Sequence, residues 1–266
     1  MSKLIVATRL HPMFTTRYTE QLAKLEEITS REEWEGDELH VIGMDCEMVQ
    51  TVDDDMALAR VSAVELKKSW RGKVEVVMDE LIMPTTSKDY IVDTRPIITG
   101  LNKEDLVERG IPKADAKERF LRLLKPNTIL VGHALDHDLL ALGINYLRVV
   151  DTALLFLVEG SGDEYTHSLS HLSRAILEEE TDRKKREGTH DSVEDATLAV
   201  KIVQRILCEP ALYDKTFPLA LPKEEAGAKR RLQREVGARA QALAAKVEVA
   251  EWNLKNAMTT LRHTPL

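Results

Sequence analysis

Two carboxylates separated by a single residue lie within an apolar stretch, residues 41–49 (VIGMDCEMV). The stretch is typical of a buried β-strand, whose side chains alternate between two faces. Asp45 and Glu47 therefore share one face, and Met44 and Cys46 share the other. Like charges on one face of an apolar strand are costly to bury, and a divalent cation with oxygen ligands compensates them. An edge strand with a solvated polar face is the alternative, which the scarcity of Asp in strands disfavours.

A second acidic segment, residues 131–138 (VGHALDHD), leads from a short strand into a helix. Carboxylates near a helix N-terminus cap exposed N–H groups and interact favourably with the helix dipole. One cap is enough, so Asp136 and Asp138 are not both explained by capping. At least one of them is predicted to have another role.

A third segment, residues 190–195 (HDSVED), opens another helix. Ser192 and Asp195 have the spacing of an N-cap residue and its N3 partner, which alone would explain Asp195. His190 lies on the preceding loop, and a side chain with a pKa of about 6.5 is suited to accepting a proton near neutral pH. Considered with the carboxylates of the other two segments, this one favours a metal-assisted reaction over capping alone.

The three segments resemble the three motifs of the DEDD-superfamily exonucleases, His-containing subgroup, and in particular the Rex-type RNA exonucleases. The connecting segments 98–101 (ITGL) and 150–153 (VDTA) match as well, and the resemblance covers residues 40–208. One position departs from the pattern, because His137 stands where the family usually has Asn before the second-motif Asp. With Asp136 just before it, the sequence leaves open whether Asp136 shares the role of Asp138.

The resemblance implies an α/β fold, an RNase H-like mixed sheet flanked by helices. It implies a metal-dependent 3′→5′ exoribonuclease that hydrolyses phosphodiester bonds, releases 5′-nucleoside monophosphates and acts on the 3′ end of single-stranded RNA in processing or degradation. Two Mg²⁺ or Mn²⁺ ions would be the cofactors, and His190 the general base. The positions matching the metal ligands are Asp45, Glu47, Asp138 and Asp195. Candidates for substrate contact are Met48, His133, Arg183, Lys184, Lys185 and Arg186.

Two alternatives to this function stay open. One is an exonuclease for DNA or short oligonucleotides. The other is a catalytically idle scaffold that binds RNA or a protein partner. All five motif positions carry the residue types that catalysis needs, which favours the enzyme.

The elements that must position these residues follow from hydrophobic periodicity. Strands are predicted at residues 41–49, 57–66, 74–83, 128–131 and 149–150, and helices at 114–124, from about 136, at 168–177 and at 192–207. In the second strand the alternation places Ala59, Val61 and Ala63 inward and Arg60 and Ser62 outward. Strands followed by alternating strands and helices predict a mixed sheet covered by helices.

Four regions are predicted along the chain: an N-terminal arm (1–38), the exonuclease domain (39–208), a linker (209–222) and a long C-terminal helix (223–266). The arm is expected to be either packed on the domain or a frayed leader. In the C-terminal region apolar residues recur at alternating four- and three-residue spacing. That spacing fits a coiled coil, and with it a protein partner or self-association, or a helix docked on its own domain.

Composition limits the class of protein. The net charge of −8 opposes coating of nucleic acid by charge alone, although residues 223–266 carry +4, which leaves −12 on the remainder. No apolar run reaches the roughly 18 residues that span a membrane, so no membrane association is expected. Two cysteines give no disulfide framework and favour an intracellular location, the nucleus before the cytoplasm or mitochondrion.

Overall fold

The computed structural model describes residues 1–11, 13–25, 28, 40–67, 71–85, 87–158, 165–178, 189–209 and 219–221. The strands are β1 (His40–Thr51), β2 (Ala57–Leu66), β3 (Val74–Met83), β4 (Ile91–Asp93), β5 (Ile111–Pro112), β6 (Thr128–Gly132), β7 (Val149–Asp151), β8 (Phe156–Val158) and β9 (Leu219–Leu221). The α-helices are α1 (Ser2–Leu10), α2 (Pro96–Thr99), α3 (Lys103–Arg109), α4 (Lys113–Leu123), α5 (Leu135–Leu142), α6 (Leu169–Leu172) and α7 (Ser192–Cys208). π-Helical turns span Thr15–Glu20 and Ser173–Leu177, and 3₁₀ turns span Leu22–Lys24 and Lys88–Tyr90. No helix in these ranges is both long and apolar enough to cross a membrane.

Seven of the described strands form one mixed sheet in the order β5-β3-β2-β1-β6-β7, with β4 also paired to β1. Strands β1, β2 and β3 form an antiparallel meander, and β6 and β7 continue from β1 in parallel. This sheet, covered by helices, confirms the predicted fold class. Strands β4 and β5 were not predicted, since three and two residues are too few to show a period.

Both faces of β1 are covered by apolar side chains. Ile42 and Met44 lie in one cluster with residues of α5, and Val41 lies in another with residues of α7. Helix α7 approaches closely at Gly43, where a Cβ atom would lie 2.4 Å from Cγ2 of Val200. Glycine at this position therefore lets the first turns of α7 settle beside the acidic part of β1.

The second strand differs from its prediction on one face. Ser62, expected to point outward, is fully buried because α7 covers that side of the sheet. Further along the chain, residues 219–221, which the sequence placed in a linker, form β9 and pair in parallel with β8.

The N-terminal residues pack on the sheet. Leu4 and Ala7 of α1 join the cluster on the α7 side, and Tyr18 and Leu22 join the cluster on the α5 side. The described part of the arm is therefore packed on the domain, the first of the two predicted alternatives. The predicted C-terminal helix lies outside the described residues.

Candidate active site

Strand β1 presents Asp45 and Glu47 toward the start of α7. Asp45 is paired with Ser62 of β2 and Glu47 with Arg60, and directly opposed residues of antiparallel strands share a face. Ser62 bonds a residue of α7, so the α7 face is the one that the two carboxylates share. Glu47 is 5% exposed, and the ladder shifts register just after it.

Asp138 reaches the same strand from the α5 side. Its Oδ1 atom accepts a hydrogen bond from the Cys46 backbone N–H at 3.1 Å. This N–H lies beyond Gly43, the last residue of β1 that pairs with β6, so the carboxylate takes the place of a strand partner. Burial raises the pKa of Asp138 well above its usual range; the Cys46 N–H opposes that shift, and the nearby acids Asp136, Asp151 and Glu47 add to it.

Asp136 points elsewhere and is completely buried. Its Oδ1 atom lies 3.7 Å from Nη1 of Arg17, and its Oδ2 atom lies 3.7 Å from Nε2 of His137. Burial raises the pKa of Asp136 as well. The N-cap residue of α5 is Ala134, so neither Asp136 nor Asp138 is the N-cap, and both lie in the first turn of the helix.

The third segment starts α7 one residue earlier than the capping prediction. Asp191, and not Ser192, is the N-cap, and its Oδ1 atom accepts a hydrogen bond from the Val193 N–H at 3.0 Å. Asp195 is thereby removed from the predicted N3 position. It is 4% exposed, and its Oδ2 atom lies 3.5 Å from Nδ1 of His190.

The loop before α7 is held by its neighbours. The His190 N–H donates to the Ile98 carbonyl at 2.6 Å, which joins the loop to α2. Ser192 is buried, and its hydroxyl lies 2.7 Å from that of Ser62 on β2. Because Ser62 is the residue opposite Asp45, this contact places the start of α7 beside the first motif.

A polar network that sequence analysis missed supports this junction. Arg60 donates two hydrogen bonds to Asp79 at 2.8 and 2.9 Å, and its Nη2 atom lies 3.6 Å from Asp191. Ser62 also donates to Asp79 at 2.8 Å. The hydrogen bonds to Asp79 raise the pKa of Arg60. The sequence does contain the signal for this network, since Arg60 and Ser62 share one face of β2. That face was predicted to be exposed to solvent.

The remaining candidates for substrate contact lie around this centre or outside the described residues. His133 lies on the turn after β6, with Nδ1 3.0 Å from the Thr152 hydroxyl. Met48 is half-buried and packs against the α5-side cluster. The basic run Arg183–Arg186 lies outside the described residues, so its predicted contact stays a prediction.

The donor chemistry of the site fits hard divalent cations. Glu47, Asp138 and Asp195 are each at most 5% exposed, and nearby acids help to raise the pKa of Asp138. Crowded buried carboxylates of this kind are compensated by an ion with oxygen ligands. Across the described residues, no group of three or more His, Cys, Asp and Glu side chains is already gathered closely enough to hold an ion. The types of the ligands fit such an ion, whereas their spacing in this structure does not yet form a closed metal site.

Known proteins resemble this chain in sequence and in fold. Over 202 residues the chain is 34% identical to Small RNA degrading nuclease 2 of Arabidopsis thaliana, covering 74% of the chain and 40% of that protein. It is 30% identical to RNA exonuclease 1 of Saccharomyces cerevisiae over 167 residues, 62% of the chain and 27% of that protein. The fold matches the Pan2 catalytic unit of Neurospora crassa, protease and nuclease domain, with a TM-score of 0.54 and 25% identity, over 71% of the chain and 31% of that one. No protein-family model matches.

Fold and motifs together define an RNase H-like exonuclease domain of the DEDD superfamily. Within it, the chain is similar to proteins named RNA exonuclease and small RNA degrading nuclease. The chain spans less than half the length of these relatives.

Proposed function

We propose that the domain is a 3′→5′ exoribonuclease that hydrolyses the terminal phosphodiester bond of RNA and releases 5′-nucleoside monophosphates, in RNA processing or degradation. The observation that carries this proposal is the hydrogen bond from the Cys46 N–H to Asp138, because it joins the second motif to the strand of Asp45 and Glu47. The names of the relatives, which are RNA nucleases, support RNA as the substrate.

The ligands of the proposed metals would be Asp45, Glu47, Asp138 and Asp195. Two Mg²⁺ or Mn²⁺ ions bound there would activate a water molecule and neutralise charge on the phosphate and the leaving oxygen. The protein's part is to bring the four acids together from β1 and from the first turns of α5 and α7. Burial of Glu47, Asp138 and Asp195 would strengthen the attraction between these acids and a bound cation, since charge is poorly screened away from water.

His190 would accept the proton of the attacking water. Its Nδ1 atom lies 3.5 Å from the Asp195 carboxylate, which would stabilise the imidazolium that forms. The backbone hydrogen bond from His190 to Ile98 fixes the position of the loop that carries the imidazole ring. The side chain is 28% exposed, so water reaches this edge of the site.

The single-stranded 3′ end would enter beside Met48 and His133, with the basic run Arg183–Arg186 contacting phosphate. Positive side chains ahead of the catalytic loop would offset the acidic body of the protein. Partner binding or self-association through residues 223–266 stays a prediction, as do the intracellular location, with the nucleus first, and the four region boundaries. Fractionation of tagged protein would test the compartment.

The idle scaffold and the DNA exonuclease are separated from the proposal by one set of assays. Matched RNA and DNA oligomers with free or blocked 3′ ends are incubated with the full chain and Mg²⁺ or Mn²⁺. We expect mononucleotide release from RNA with a free 3′ end, arrest by a 3′ block, and loss of activity with a chelator. Absence of turnover on every oligomer would overturn the proposal in favour of a scaffold, and a preference for DNA would overturn the substrate assignment.

A further inference from the structure

A tyrosine outside the recognised motifs lies against the second of them. Tyr18 belongs to the π-helical turn Thr15–Glu20 and is fully buried. Its ring stacks on Phe14, with centroids 4.8 Å apart and planes inclined by 11°. Apolar packing therefore fixes the position of the Tyr18 hydroxyl relative to the sheet.

The hydroxyl group is bound to a buried acid at the end of β7. Tyr18 donates a hydrogen bond to Oδ2 of Asp151 at 2.8 Å, across 133 residues of sequence. The other oxygen of Asp151 accepts two backbone hydrogen bonds at 2.9 Å, from Ala134 and Ala153. Asp151 is completely buried, so these three donors orient its carboxylate.

Ala134 is the residue from which α5 starts, and it has a left-handed backbone with φ 55°. This conformation is disfavoured for a residue with a Cβ atom, so it persists only where its surroundings hold it. The hydrogen bond to Asp151 is such a restraint. The direction in which α5 leaves Ala134 determines whether Asp138, in its first turn, reaches the Cys46 N–H.

We propose that residues 13–25 form a positioning element of the active site, in which Tyr18 acts through Asp151 and Ala134 to hold Asp138 against β1. The inference rests on the proposed function only in treating Asp138 as part of the catalytic centre. It extends the site beyond the region that matches the family motifs, to a segment that the sequence predicted as a packed or frayed arm.

The test compares two buried tyrosines of the 266-residue chain, each of which donates one hydrogen bond. Tyr18→Phe removes the hydroxyl group that binds Asp151. Tyr146→Phe removes a buried hydroxyl group that donates to the Thr128 carbonyl at 2.7 Å, at the far end of β6. Both variants lose one buried hydrogen bond, so Tyr146→Phe shows what such a loss does to the site when the bond is remote from α5.

Hydrogen exchange of the Cys46 amide, measured with a chelator present, reads the Asp138 contact directly. We expect exchange about tenfold faster in Tyr18→Phe, relative to the amides of residues 41–43, and unchanged in Tyr146→Phe. Calorimetric titration with Mn²⁺ should show affinity weaker by roughly threefold to tenfold in Tyr18→Phe alone, as for other residues that orient ligands. On RNA, kcat should fall while KM stays constant.

Equal Cys46 exchange and equal Mn²⁺ affinity in the two variants would overturn the inference. If Tyr18→Phe does not fold, Asp151→Asn takes its place, with the same faster exchange expected and unchanged exchange contradicting the proposal. A wild-type protein without nuclease activity would overturn the proposed function. The exchange and Mn²⁺ measurements would still decide the positioning role in that case.

Discussion

Helices α5 and α7, which bring site residues close to β1, are held in place by different contacts. Asp138 at the start of α5 is buried and bound to the backbone of β1. His190, ahead of α7, is more than a quarter exposed, and side chains of β2 secure the helix that follows it. The difference matches the proposed roles, because a metal ligand needs a fixed place, whereas a general base must exchange protons with water.

Replacing acids on the α5 side should produce the largest effect. We expect Asp138→Asn to reduce turnover by on the order of 10³-fold, since a charge that stabilises the transition state is lost. Asp136→Asn is the matched control, and it should keep most of its activity because Asp136 faces Arg17. Single-turnover rates in Mg²⁺ measure both. The reverse order would show that Asp136 occupies the second-motif position.

On the α7 side, His190→Ala should remove proton transfer and leave the metal ligands in place. A loss of roughly 10²-fold in kcat is expected, within the range for general bases. Mn²⁺ affinity, measured by calorimetry, should stay within about twofold of the wild-type value, unlike that of Asp138→Asn. Near-normal turnover of His190→Ala at neutral pH would remove His190 from the mechanism.

A smaller effect is expected from the network under α7. Arg60→Met breaks the bonds to Asp79 and the contact with Asp191, so the N-terminus of α7 loses a restraint on β2. We expect kcat to fall about tenfold, as for other outer residues that orient ligands.

The matched control for Arg60→Met is Arg119→Met. It breaks an ion pair to Glu80, which follows Asp79 on β3, away from α7. Its kcat should equal that of the wild type. Steady-state kinetics on a short RNA oligomer compare the two variants. Similar values of kcat for both would mean that the network stabilises the fold without positioning His190.

The smallest expected effect concerns stability without metal. Burial raises the pKa of Asp138 in the folded state. Above pH 4, which is about the pKa of Asp in an unfolded chain, the unfolded state loses this proton before the folded state does. The group therefore lowers the free energy of unfolding as the pH rises above about 4. Asp138→Asn should therefore be more stable than the wild type at pH 7 in chelator. Thermal unfolding between pH 4 and 7 checks this, and a steeper pH dependence in the variant would contradict it.

Much of the scaffold was predictable because its signals are local. Strands β2 and β3 have the bounds that hydrophobic periodicity predicted. The predicted N-cap residue of α7 was wrong by one position. Asp191 and Ser192 are both good N-cap residues, and the bond between Ser192 and Ser62 of β2 decides which of them caps.

The sequence by itself determined that Asp45 and Glu47 share a face, because the period of a strand depends only on its own backbone. It also determined the family, through three short segments whose residue types suit one chemistry. Only the tertiary structure decided that Asp138 and not Asp136 meets β1, and that Tyr18 supports it through Asp151. These contacts join residues 92 and 133 positions apart, and such pairings depend on how α5 and the N-terminal turns pack on the sheet, which no local periodicity encodes.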